Sequence, residues 1–237
     1  RLVSSSEGGS IVFRSPAVGA LHALVADHAV QGRVIVPGPS SVAPSRDEEP
    51  TVILSYNQCN GVAELVLNDP GRFNAMTEAF VYDIAAATHY LQLGLGVRAL
   101  LMHGTGKHFC VGANHYHEAW DGLTLASAFI ARHNQFHGLL RLRSLEVPVL
   151  CAVHGFLQGG AMSTCFNTDY RVADIDTSFQ HGNLPRGASP AGGYTTTPFL
   201  LLGSTAARAM FLFNEIYNAQ EALAIGILGT EASPEPV

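Results

Sequence analysis

Charged residues are scarce in this sequence: Asp, Glu, Lys and Arg make up 14%, and the formal net charge is -6. That balance argues against a broad basic face for nucleic-acid phosphates. Long apolar runs are also lacking, and none approaches the roughly 20 residues that cross a bilayer. The opening RLVSSSEGGS has no apolar h-region of the kind a secretory leader needs. Cysteine is sparse: Cys59, Cys110, Cys151 and Cys165 are scattered through apolar contexts. Free buried thiols in a reducing, cytoplasmic compartment are therefore expected rather than a disulfide framework. Internal repeats are missing. The first residue is Arg rather than Met, which points to an excised or processed piece.

What the chain does have is 237 residues that are 47% hydrophobic, enough for one good core plus an appendage. Residues 38–50, GPSSVAPSRDEEP, read as a linker between an arm, 1–37, and a body, 51–237. In the body, Val52 to Leu54 and Val62 to Leu67 read as paired strands around Asn60-Gly61. From Met76 to Leu93 the apolar positions Phe80, Ile84, Ala87 and Leu91 recur at helical spacing. Val97 to Met102 reads as a strand, Leu123 to Leu145 as helix and Val149 to Val153 as strand. Gly160 to Phe166 reads as a helix start, Tyr170 to Ala173 as strand and the tail from Pro198 as helix. Strands alternating with helices predict an α/β fold with crossover connections.

Histidines and glycines gather in HFCVGANHYHEAW, residues 108–120. A phosphate loop does not fit, because Leu101 stands where Walker A needs Gly and His108 where it needs Ser or Thr. A zinc helix fits no better: His133 and His137 have i, i+4 spacing, but Asn134 replaces the catalytic Glu. No cysteine or carboxylate cluster supports His115 and His117 as ligands, so no metal site is assigned. Gly187-Ala188-Ser189-Pro190-Ala191 ends in Ala where a nucleophile elbow ends in Gly. Two glycine turns, each following a strand, give a coherent alternative. One is Phe109-Cys110-Val111-Gly112-Ala113-Asn114, and the other runs from His154-Gly155 to Gly159-Gly160-Ala161. Backbone N–H groups aimed from both at one cleft could stabilise a thioester enolate, and glycine lets the backbone approach closely.

From about Thr51 to Gly229 these segments resemble the crotonase, or enoyl-CoA hydratase/isomerase, superfamily. Leu67-Asn68-Asp69-Pro70 with Asn74-Ala75-Met76 is similar to the family's LNxPxxxNAL, and Phe109 to Asn114 to its FCAGAD. Val153-His154-Gly155 with Gly159-Gly160 is similar to VNGxAxGGG. Gly187 to Gly193 resembles GxxPGxGG, and Ala219 to Gly226 resembles SAEEALxxGLV. The resemblance implies a crotonase-like ββα spiral fold, with the sequence ending at Glu235-Pro236-Val237 where relatives continue into C-terminal helices. It implies that Ala113 and Gly160 donate to an oxyanion, with Gly112, Asn114, Tyr116, Gly159 and Asn183 at the substrate. Ser163, and Asn183 in a looser alignment, stand where hydratases carry paired glutamates, so water addition lacks an obvious base. Decarboxylation, isomerisation or a narrower dehydration remains, with His115, Tyr116, His117 and His137 as candidate acids. His154 is read as shaping its turn, and Cys110 and Met162 as core. A catalytically dead scaffold and an ordinary hydratase are the alternatives. No cofactor is expected beyond the substrate's own CoA or phosphopantetheine. The expected partners are acyl-CoA or acyl carrier protein, with homo-trimers or larger if the missing helices exist.

The arm segment DHAVQGRVIVP, residues 27–37, carries His28, Gly32 and Pro37 in the pattern HxxxGxxxxP. It resembles the first motif of polyketide-synthase dehydratase domains, in which that His removes an α proton. The likeness stops near Ser40, so the arm reads as a remnant with His28 silent, and it implies a polyketide or fatty-acid context for the body.

Overall fold

A computed structural model describes residues 51–57, 60–92, 96–113 and 136–231. The arm, the linker and the segment holding Asn114, His115, Tyr116 and His117 lie outside the described residues. Strand β1 (Val52–Asn57) pairs antiparallel with β2 (Val62–Leu67), as the turn at Asn60-Gly61 requires. Side chains alternate along these strands, so Val52, Leu54, Ala63, Leu65 and Leu67 enter the core.

Helix α1 (Glu78–Leu91) then crosses back to β3 (Ala99–Gly104), which lies parallel to β2. A helical crossover is the ordinary way to join parallel neighbours. Thr77 caps α1 by accepting from the Phe80 amide at 3.2 Å. The predicted stripe is the buried one: Phe80, Ile84, Ala87 and Leu91 all face the core. Thr51 ties the same helix to the sheet by donating to the Asp83 carboxylate at 2.8 Å.

The predicted helix over 123–145 is described only at 136–142, labelled α2, which buries Leu139 and Leu142. Strand β4 (Val149–Val153) lies parallel to β3, and β6 (Tyr170–Ala173) parallel to β4. Between them the chain leaves the large sheet through β5 (Phe156–Gln158) and then enters helix α3 (Gly160–Phe166). β7 (Ser178–Gln180) pairs parallel with β5, and β8 (Ile216–Asn218) antiparallel with β7. The large sheet has the order β1-β2-β3-β4-β6-β9, closed by β9 (Thr230–Glu231), and the smaller sheet β5-β7-β8.

The predicted C-terminal helix is α4 (Thr197–Phe213), broken at Gly203, where φ is 77°. A short α5 (Ala219–Ala224) follows, closed by a capping box between Asn218 and Glu221. Cys110, Cys151 and Cys165 are free and buried, and Met162 is core, as expected. Among the described residues no helix is long and apolar enough to cross a membrane.

Candidate active site

The first glycine turn hangs from β3 and is held by residues 73–76. Asn74, fully buried, makes three hydrogen bonds with its carboxamide. Its Oδ1 accepts from the Asp69 amide at 2.7 Å, and its Nδ2 donates to the carbonyls of Thr105 and His108, each at 2.9 Å. The backbone of the same segment continues the clamp. Val111 N–H donates to the Phe73 carbonyl at 3.3 Å, and Met76 N–H to the Gly112 carbonyl at 2.8 Å. Met76 and Ala113 form an isolated parallel bridge. Cys110, whose thiol burial pushes up to about 12, accepts from the Gly112 amide. That thiol stays neutral and serves the turn rather than any nucleophilic step.

The second turn is held by the smaller sheet. Gly159 N–H points at the carbonyls of Gln180 and His181, at 3.3 and 3.0 Å, and Gly160 opens α3. The two turns are also tied to each other. Phe109 N–H donates to the His154 carbonyl at 2.9 Å, and Phe156 N–H to His108 Nδ1 at 3.0 Å. His154 shapes its turn, as expected, with Nε2 3.0 Å from the Gly106 carbonyl. Desolvation, then the nearby Lys107 and His154, lower the His108 pKa. A neutral ring is what Nδ1 needs to accept from Phe156.

Glycine is required at Gly112 and leaves room at Gly160. Gly112 has φ 94°, and a Cβ there would overlap the Gln158 carbonyl oxygen and lie 3.5 Å from the Gly160 nitrogen. A Cβ on Gly160 would lie 2.6 Å from Met76 Sδ and 3.5 Å from the Ala113 nitrogen. The amides of Ala113 and Gly160 thus border one small space. Neither N–H donates to an acceptor among the described residues. Gly160 also stands at a helix N-terminus, where the peptide dipoles favour negative charge. Two free donors bordering one space can donate to an oxygen that gains charge.

The two positions expected to lack glutamates are neutral in the structure. Ser163 is 1% exposed, and its hydroxyl lies 3.1 Å from the carbonyls of both Ala191 and Gly192. Asn167 reinforces that loop by donating to the carbonyls of Ser163 and Gly192, at 2.9 and 2.7 Å. The Ser163 hydroxyl is therefore committed to backbone and cannot act as a base. Asn183 is half-buried, with Oδ1 2.8 Å from where a Gly159 Cβ would sit, so its carboxamide reaches the second turn. His137 is exposed on α2, while its neighbour Phe136 packs near Gly192.

The structure brings Gly112, Ala113, Gly159, Gly160 and Asn183 close to one another. Asn74, Met76, His108 and Gln158 join them with roles that sequence reasoning missed. Asn74 and Met76 lay within a matched motif, and that motif was the available signal. Along α3 lies a cluster of His181, Tyr194, Phe166 and Phe211, with the His181 ring 5.5 Å from Tyr194 and 4.7 Å from Phe211. Burial lowers the His181 pKa and raises that of Tyr194. Among the described residues, His181 Nδ1 and the Tyr194 hydroxyl have no hydrogen-bond partner.

Comparisons with known proteins bear on the fold as a whole. A family model described as enoyl-CoA hydratase/isomerase matches residues 57–235. A Mycobacterium tuberculosis (strain ATCC 25618 / H37Rv) protein named "Probable enoyl-CoA hydratase EchA14" is 28% identical over 182 residues, 74% of this chain and 67% of its own. The crystal structure of an enoyl-CoA hydratase from Mycobacterium smegmatis is 25% identical with a TM-score of 0.72, covering 78% of this chain and 71% of its own. An enoyl-CoA hydratase structure from Bacillus anthracis shares the fold at 20% identity, with a TM-score of 0.70 over 78% of this chain and 70% of its own.

Proposed function

The chain belongs to the enoyl-CoA hydratase/isomerase family, the crotonase superfamily, and from that premise we propose that it stabilises an acyl-thioester enolate between the amides of Ala113 and Gly160. The observation that carries this reading is the approach of those two N–H groups to one space without an acceptor among the described residues. As a thioester oxygen gains charge, both N–H groups donate to it, and each such donor typically contributes about 100- to 1,000-fold in rate.

Ser163 and Asn183 make hydration, the reaction in the relatives' names, the less fitting chemistry, because neither activates water. Decarboxylation fits better, since it needs an oxyanion site and an acid but no base. The bond to the leaving carboxylate breaks, carbon dioxide departs, and its electron pair enters the enolate held by the two amides. A proton then returns to carbon, for which His115, Tyr116, His117 and His137 are the candidate donors. Isomerisation or a narrower dehydration would use the same enolate. The Asn183 carboxamide, beside the second turn, orients the acyl group. The acyl group is carried on CoA or on the phosphopantetheine of a carrier protein, and the resemblance of residues 27–37 favours a polyketide or fatty-acid setting.

A second reading, a catalytically dead scaffold that binds a carrier protein or partner subunit, is favoured by the committed Ser163 hydroxyl. Intact mass spectrometry of glutaconyl and crotonyl thioesters, on CoA and on carrier protein, separates the cases. Loss of carbon dioxide supports decarboxylation, gain of water returns the chain to the hydratases, and no change in mass or in enoyl absorbance of any substrate supports the scaffold.

A further inference from the structure

Met76 touches both halves of the proposed oxyanion site, and through different parts of the residue. Its backbone N–H holds the Gly112 carbonyl at 2.8 Å, and its bridge to Ala113 fixes the turn that carries the first donor. Its thioether packs on the turn that carries the second, with Sδ 2.6 Å from the Cβ position that Gly160 leaves empty. Its placement is firm on both sides in sequence. Asn74 is clamped to Asp69, Thr105 and His108, and Thr77 caps α1, whose Phe80 and Ile84 are buried.

We propose that Met76 is a positioning residue that sets the spacing between the Ala113 and Gly160 amides. The inference rests on the oxyanion reading above and adds the element that fixes its width. A thioether suits the place. It is a weak acceptor, so it does not compete for the two N–H groups as a hydroxyl or amide would, and its unbranched chain follows an irregular surface. The empty Cβ position of Gly160 lies 2.6 Å from the sulfur and 3.5 Å from Ala113 N, so either a shorter side chain at 76 or a larger one at 160 changes the gap.

The test uses the full chain with two probes, acetoacetyl-CoA, whose enolate absorbs in the ultraviolet, and crotonyl-CoA, whose thioester carbonyl is followed by infrared difference spectroscopy. In the parent, binding lowers the carbonyl frequency and favours the enolate. Met76→Ala loses most of that frequency shift and weakens enolate binding by about 10-fold, less than the roughly 100- to 1,000-fold cost of losing a donor outright. Gly160→Ala alone also weakens the enolate, because its methyl meets Met76 Sδ, and adding Met76→Ala recovers part of the loss. A purely structural role for Met76 would give neither the frequency change nor that recovery. Thermal melting checks folding. Should Met76→Ala fail to fold, Met76→Val retracts the end of the side chain while keeping most of its volume, and it must show the same loss of shift. No carbonyl shift in the parent overturns the oxyanion reading itself. A parent shift that the Met76 variants retain, or losses from Met76 and Gly160 that add independently, overturns the spacing role alone.

Discussion

Asn74→Ala tests whether the first turn is held as described. The substitution removes three hydrogen bonds, from the Asp69 amide and to the carbonyls of Thr105 and His108, at 2.7, 2.9 and 2.9 Å. At about 1 kcal/mol net for each bond, the loss is roughly 3 kcal/mol. Asn74 also adopts φ 54°, in the left-handed region that asparagine tolerates better than alanine, which adds about 1 kcal/mol. The expected destabilisation is therefore about 4 kcal/mol, a large share of the roughly 5–15 kcal/mol that holds a typical domain together. Urea unfolding followed by circular dichroism should show the midpoint falling with an unchanged slope. Asn74→Asp should cost at least as much, because it keeps the acceptor for Asp69 but sets a buried carboxylate against two carbonyls. A loss below about 1 kcal/mol for Asn74→Ala would refute the clamp, since the three bonds would then have ready replacements.

Gly160→Val should lower turnover of any thioester the parent processes by about 100-fold or more; full turnover would dismiss the donor assignment. Crotonyl-CoA should be hydrated slowly or not at all, and rapid loss of its enoyl absorbance would reveal a base other than Ser163 or Asn183. Burial lowers the pKa of both His108 and His181 below the ordinary 6.5, so both favour the folded state when neutral. Their contribution is complete above that unfolded value and is lost as pH falls from there through the folded values. Stability to urea should thus drop as pH falls below 6.5, and His181→Phe should flatten part of that drop; an unchanged profile would exclude His181 as a source.

Elements with strong periodicity were the legible ones. Phe80, Ile84, Ala87 and Leu91 announced α1, and the glycines before Ala161 announced the start of α3, because local spacing alone specifies such features. The smaller sheet was not legible. Its strands β5, β7 and β8 have three residues each, too few to show a period, and they exist only because distant segments pair. The break of α4 at Gly203 was missed for a related reason, since a lone glycine in an apolar helix carries no local mark of a kink. At the site, the glycines of both turns could be read because close backbone approach has a residue signature. The part played by Asn74 could not, because its partners Thr105 and His108 lie 31 and 34 residues away. Ser163 could be read as a missing carboxylate, but its engagement with Ala191 and Gly192 emerges only from packing.

The central claim is that the Ala113 and Gly160 amides jointly hold a thioester enolate. Nuclear magnetic resonance of the ¹⁵N-labelled full chain during titration with acetoacetyl-CoA tests it most directly. Both amide protons are expected to move downfield together as enolate absorbance grows, as two donors shortening onto one charged oxygen must. Enolate forming on the protein while either amide stays unshifted would contradict it.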